Sequence, residues 1–439
     1  MLCREGENQP GISVCNFSLD EMANPVVHLA EEWTFAEYIG LSGSLNDRLL
    51  TLDTIPSHRF VTILLHRWKN FIFLLTRGKL RVILYIVLMY YEYKEDFSMT
   101  DISHLITPYK YGKAVLAGSG KKGAFDYKAV DCPLPFRHNG AFYMSFIGFD
   151  GIGYQSALAK SDDLIHWEKV GVMLPRGCHA DWDKVGMACT TLLMENDLYG
   201  ERKLKKYNGK YWMMYHSYPG EGYEAGSAEI GLAWTEDENL MKWEFAEEPV
   251  YSWRGGAPFE RGGLYKSWLV EHEGKFYMFY NAKNVDGEDM CWKEQTGVAT
   301  SDDMLHWTRY EGNPVLPVCE GAWDSVFASD PVVMFDSKMG KWVMFYYGLG
   351  NLSACDGLAI SDDLFHWEKF PAPIQTIGGP GSIDSTYAHK PGIIYHNGML
   401  YHFYCACRPY KKGDPADNSG EFRCISVARS KPWTAEELA

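Results

Sequence analysis

Beyond residue 125, apolar runs of strand length alternate with short polar turns, and the order repeats. One unit is an apolar run, a turn built on Asn-Gly or a related pair, and a run that mixes aromatic and aliphatic residues. It occurs over Pro135–Ser145, Lys206–Tyr215, Glu271–Tyr280, Phe335–Tyr346 and Tyr395–Tyr404. Asn-Gly between alternating apolar runs is the strongest short hairpin signal, because both turn residues adopt positive φ. A second unit follows. It reads Ser161-Asp-Asp-Leu-Ile-His-Trp167, then Thr235 to Trp243, Ser301-Asp-Asp-Met-Leu-His-Trp307 and Ser361-Asp-Asp-Leu-Phe-His-Trp367. Each copy closes a further apolar run, such as Gly297-Val-Ala299 or Gly357-Leu-Ala-Ile360. This predicts a strand ending in a polar turn, whose Asp bonds its own backbone and whose Trp packs between neighbouring sheets. The phrase is structural in this reading, not catalytic.

The four copies begin 74, 66 and 60 residues apart. A period of that size marks a propeller or an array. Five hairpins, four clear copies of the phrase and a degenerate fifth over Ile425–Trp433 predict five units of about four strands, one propeller blade each. The expected fold is therefore all-β: a five-bladed β-propeller over residues 110–433. Its blades fall near 125–175, 180–250, 255–317, 320–375 and 383–433. Residues 1–98 lack the repeat and form an atypical N-terminal extension. Met99 would make a natural start, so the extension is either an over-extended reading frame, poorly ordered, or a helical appendage.

Composition narrows the partners. Aromatic residues make up 15% of the 439, with 15 Trp and 28 Tyr, which suits β structure and flat rings that stack on sugars. The net charge of −15 offers no basic footprint, so no nucleic-acid partner is expected. The 11 Cys are odd in number and lack zinc-finger spacing. They predict reduced thiols in a reducing compartment, and hence a cytoplasmic protein. Cys405 and Cys407 would share one face of a strand. Met1 to Pro10 has no signal-peptide pattern. The apolar stretch Phe60–Tyr91 is broken by His66, Arg67, Lys69, Arg77, Lys79 and Arg81, and Val82–Tyr91 is too short to span a bilayer, so no membrane partner is expected. Neither a cofactor nor a metal is expected. The oligomeric state is left open.

In a propeller, the first residues of each inner strand point into a central funnel. Alignment on the hairpin glycines and on Trp182-Asp183 against Trp323-Asp324 puts Asp131, Thr190, Tyr265-Lys266, Asp330 and His389-Lys390 there. These starts are polar where the strands behind them are apolar. Two Asp at matching positions point to acid–base chemistry; the structural alternative is that each Asp caps its own turn.

On these residues the chain resembles the five-bladed propeller glycoside hydrolases, the superfamily containing families 43, 32, 68, 117 and 130. The resemblance rests on the fivefold repetition, the Ser-Asp-Asp…His-Trp turns, hairpins such as Gly274-Lys-Phe-Tyr-Met-Phe-Tyr280, and Asp131 and Asp330 heading inner strands. Family 43 relatives use a blade-one Asp as general base, a second Asp that tunes pKa and a Glu as general acid. The resemblance implies Asp131 as base and Asp330 as the second Asp. No Glu heads an inner strand here. Glu260 is the best candidate acid, Glu224 and Glu221 come next, and His389 could also serve.

Glycosidic cleavage needs a proton donor at the leaving oxygen and a carboxylate across the sugar, about 6.5–9.5 Å away when water attacks directly. Lys266, His389, Asp150 and Thr190 are candidate substrate contacts. Some relatives hold an ion on the axis, and His389 would be nearest to it. The leading expectation is a glycoside hydrolase that takes a terminal sugar from a short oligosaccharide or glycoside by inversion. A glycoside phosphorylase, served by Lys266, His389 and Lys390, and a non-catalytic sugar-binding propeller are the alternatives.

Overall fold

The turns establish the strands. In the computed structural model of the protein, Asn139-Gly140, Asn208-Gly209, Glu273-Gly274 and Asn397-Gly398 all have positive φ at both residues, the backbone that matches a tight hairpin to strand twist. The structure describes residues 100–177, 181–284, 293–351, 353–415 and 420–438, preceded by the strands Leu50–Thr51, Phe73–Thr76 and Lys79–Val82. Those three form a small antiparallel sheet within the unit Met1–Asp101. The remainder of the 1–98 extension, and most of Phe60–Tyr91, lies outside the described residues. Among these residues no helix is long and apolar enough to cross a membrane.

The unit Ile102–Ala439 is a five-bladed propeller. Blade one comprises Ala129–His138, Ala141–Phe149, Tyr154–Ser161 and Glu168–Leu174. Blade two comprises Gly186–Leu192, Tyr211–Tyr218, Glu229–Thr235 and Glu244–Phe245. Blade three runs from Gly263–His272 through Lys275–Lys283 and Glu294–Ser301 to Thr308–Arg309, and blade four from Phe327–Asp336 through Lys341–Leu349 and Cys355–Ser361 to Glu368–Lys369. Blade five contributes Tyr387–His396, Met399–Pro409 and Glu421–Arg429. Its outer edge is not its own: Tyr109–Lys110 and Leu116–Ala117, which precede blade one, pair with Glu421–Arg429. The span 383–433 therefore lacks an outermost strand, and the segment just before blade one closes the ring. Neighbouring inner strands touch all the way round, blade five against blade one included.

The Ser-Asp-Asp phrase is a turn lock. Leu164 takes φ 71 and donates its N–H to Ser161 Oγ at 2.9 Å, while Asp163 Oδ1 accepts from Ile165 and His166 N–H. Trp167 Nε1 donates to Leu164 O, and its ring meets Phe403 of blade five edge-on. The copies at 301 and 361 repeat the bonds, and Trp367 meets Phe279 of blade three in the same way.

A second repeat was invisible along the chain. A buried carboxylate ahead of each inner strand ties the blade together: Asp126, Asp183, Glu260, Asp324 and Asp384. Asp183, Glu260, Asp324 and Asp384 accept from the second-strand hydroxyls of Tyr215, Tyr280, Tyr346 and Tyr404 at 2.7–3.0 Å. Outer-strand cations answer four of the five: Lys169 to Asp126, Arg309 to Glu260, Lys369 to Asp324 and Lys110 to Asp384. Lys110 shows that the closing strand is a true member of blade five.

The enlarged hairpin of blade two crosses the far end of the axis. Arg202 O accepts from Arg137 N of blade one, Asn196 Nδ2 donates to Glu271 O of blade three, and Leu198 N donates to Phe335 O of blade four. Tyr199 packs edge-on against Tyr395 of blade five. A segment bonded or packed to the hairpin ends of the other four blades must cover the axis there.

Candidate active site

At the opposite end, every inner strand slips register at the same point. The pairs Asp131↔Ile147, Tyr265↔Asn281, Ser329↔Tyr347 and His389↔Cys405 are each followed by a bulge, and blade two slips between Cys189 and Thr191. The next residue is left-handed in four blades: Cys132 (φ 52), Lys266 (φ 24), Asp330 (φ 51) and Lys390 (φ 64). None is glycine, so each costs about 1–2 kcal/mol. A bulge re-aims a side chain, and all four line one cavity of about 250 Å³. Tyr154, Tyr218, Tyr265, Tyr347 and Tyr387 form its aromatic wall.

The register corrects the pairing of Asp131 with Asp330. Asp131 matches Ser329, and Asp330 matches Cys132. The turn Ser337–Gly340 of blade four is two residues longer than those of blades one, three and five, which displaces an alignment made on the glycine.

Three carboxylates face the cavity: Glu224, Glu294 and Asp330. They are joined through polar side chains. Lys283 Nζ lies 2.9 Å from Glu224 Oε2 and 3.2 Å from Glu294 Oε1. Asn281 Nδ2 donates to Glu294 Oε2 at 2.8 Å and to Asp330 Oδ1 at 3.2 Å. Burial pushes Asp330 up to about 6, against the pull of Lys390 and Lys266. Burial also opposes the charge on Glu224, but Lys283 and Lys390 overcome it and bring this carboxyl down to about 2. Opposite shifts of two carboxylates in one site are the mark of an acid and its ionised partner.

Asp131 is placed differently from both. Burial works to raise it, yet Lys390 and Arg423 hold it well below the usual carboxylate range. Its Oδ2 takes Lys390 Nζ at 2.9 Å and Arg423 Nη1 at 2.8 Å, and its Oδ1 takes Cys132 N at 2.8 Å. It lines a side recess with Tyr154 and Tyr223. Lys266 and His389 line the main cavity. Burial, then Arg423 and Lys390, keep the His389 imidazole neutral.

The structure does not bring the other candidates there. Glu260 is the blade-three member of the structural carboxylate ring, spent on Tyr280, Arg309 and Ala257 N. Thr190 lies one bulge position too far. Its hydroxyl donates to Met214 O and pairs with Ser267 Oγ between blades two and three. Asp150 caps its own turn through Ile152 and Gly153 N–H and pairs with Arg176. Glu221 is exposed.

Glu294, Asn281, Lys283, His216 and Arg423 were not anticipated. They sit on second and third strands at the end that meets the inner-strand starts. A polar residue at every second position near the end of an apolar run, as in Tyr280-Asn281-Ala282-Lys283, was the available signal.

Comparison with known proteins agrees with this geometry. Residues 194–379 match the model described as the glycosyl hydrolases family 32 N-terminal domain. A structure described as a complex of BT0996 and RGII is similar at 29% identity and a TM-score of 0.63, over 76% of this protein and 95% of that one. Another, described as a glycoside hydrolase, is 28% identical with a TM-score of 0.61, over 80% and 97%. A thermostable family-43 glycoside hydrolase shares the fold at 18% identity and a TM-score of 0.50, over 68% and 89%. The protein is a member of the five-bladed propeller glycoside hydrolase superfamily. It is an enzyme of the glycosidase class.

Proposed function

We propose that the enzyme removes one terminal sugar from a short oligosaccharide or glycoside, with Asp330 as general acid and Glu224 as its ionised partner. The observation that carries this reading is the split of two carboxyls in one cavity, one pushed to about 6 and the other to about 2. Near pH 5, Asp330 holds a proton for the leaving oxygen while Glu224 draws one from water. Asn281, Glu294 and Lys283 stand between them, which supports a one-step displacement with inversion. Asp131 pairs with both Lys390 and Arg423, and Lys390 Nζ lies 4.0 Å from Glu224 Oε1.

The cavity, at about 250 Å³, is below the ~300–1,000 Å³ of sites for larger ligands and suits one sugar ring against tyrosine faces. The relative described as a complex with RGII supports a carbohydrate substrate. The seven described cysteines are all free thiols, in keeping with a cytoplasmic enzyme.

A panel of nitrophenyl glycosides identifies the sugar. On that substrate, Asp330→Asn and Glu224→Gln should each lower kcat/KM by ~10²–10⁴. Unchanged rates in both would overturn the assignment. NMR of the first-formed anomer reports the stereochemistry; a retained anomer would point to Glu224 and Glu294, which share Lys283.

One observation favours phosphorolysis as a second reading. Lys266 is buried in the cavity wall, and among the described residues no carboxylate lies within ion-pair distance of it. A rate that requires inorganic phosphate would select that reading.

A further inference from the structure

We propose that His389, Cys405 and Cys407 form a binding site for a single zinc-class divalent ion beside the sugar cavity. Residues two apart on a strand have Cα atoms about 6.5–7 Å apart, yet the two sulfurs converge to 3.8 Å. A tetrahedral ion with metal–sulfur bonds of ~2.3 Å sets its sulfurs ~3.8 Å apart. One ligand atom from each of the three residues lies within 4.8 Å of the others, and all three side chains are buried.

The register explains the convergence. His389 sits directly opposite Cys405 across the inner and second strands of blade five. Cys405 and Cys407 hold the positions that Asn281 and Lys283 hold in blade three, so they face the same way as those cavity residues. His389 Nδ1 is buried with no hydrogen-bond partner. Its imidazole is neutral, the form that binds metal. Burial raises the Cys405 thiol. Binding exchanges two S–H protons for two metal–sulfur bonds and releases both protons to solvent. Arg423 Nη1, 3.5 Å from Cys405 Sγ, would donate to the resulting thiolate. Among the described residues no fourth His, Cys, Asp or Glu joins the group. Three protein ligands leave one coordination position open.

The test uses the full-length protein, stripped with a chelator and titrated with Zn(II) or Co(II). We expect one ion per molecule, two protons released per ion in weak buffer, and a sulfur-to-metal charge-transfer band with Co(II). Cys405→Ser and Cys407→Ser should each weaken binding at least tenfold and remove the band, whereas Cys424→Ser should leave both unchanged. Should a serine variant fail to fold, peptide-mapped alkylation of the wild type decides: Zn(II) should protect Cys405 and Cys407. Absence of stoichiometric binding by the wild type, full binding by a folded Cys405→Ser/Cys407→Ser double variant, or alkylation indifferent to Zn(II) would each overturn the site.

Discussion

Asp330 carries two strains at once, a left-handed backbone and a buried carboxyl. Asn tolerates the left-handed region better than most side chains, so Asp330→Asn keeps the geometry and removes the charge. In the folded protein Asp330 titrates near 6, above its unfolded value near 4. The folded state therefore binds the extra proton between these values, and stability falls as pH rises through that window. Two units correspond to about 3 kcal/mol. Denaturant unfolding from pH 4 to pH 8 should show the wild type losing that much relative to Asp330→Asn, which should be the more stable form at pH 8. Parallel pH profiles would mean that another group titrates. Glu224 has the opposite sign. Its folded value near 2 lies below the unfolded one, so its contribution is present above pH ~4.5 and is lost as pH falls toward 2. The two together predict a bell-shaped kcat/KM with limbs near 2 and 6, and Asp330→Asn should abolish the upper limb.

At the scale of the strand and blade, what was legible in the sequence was whatever is local. Asn-Gly turns and the Ser-Asp-Asp lock lie within a few residues of their partners, so they read directly and counted the blades. The carboxylate ring is non-local. Glu260 meets Tyr280 and Arg309, 20 and 49 residues away, and along the chain it looks like any acid ahead of a strand. The bulge likewise shifts register by one residue, which changes which side chain enters the cavity, and no spacing rule reports it. Asp330, Lys266 and His389 head inner strands and could be found by blade alignment; Lys283 and Glu294 lie on the second and third strands of blade three, where the repeat marks no cavity position. These roles separate by experiment. Glu260→Ala strips the carboxylate from Tyr280 and Arg309, so it should lower the unfolding free energy by ~1–3 kcal/mol and leave kcat near wild type. Glu294→Gln should lower kcat sharply in protein that still folds. A large kcat loss in folded Glu260→Ala would return that residue to the catalytic candidates.

For the whole molecule, the two ends of the propeller axis are unequal, and this decides how an oligosaccharide can enter. The far end is covered by the blade-two hairpin, whose Arg202 is buried with its guanidinium 4.8 Å over the Trp268 ring. The near end holds the carboxylates and the tyrosines. A substrate therefore cannot thread through the ring, and on the reading proposed above it enters from the near end with its terminal residue against Asp330 and Glu224. The strand that closes blade five comes from Tyr109–Ala117, so the cavity wall carrying His389, Lys390 and Arg423 depends on the first turns of the propeller unit. Two outcomes follow from this topology. Removal of residues 1–98 should leave the melting temperature and activity of the propeller unchanged, whereas removal through residue 118 should abolish both, because it strips the outer edge and Lys110 from blade five. On an oligosaccharide of the right sugar, time-resolved chromatography should show the monosaccharide and the oligosaccharide shortened by one unit as the first products. Early release of internal fragments would require an open groove across the near end and would overturn the terminal-sugar reading.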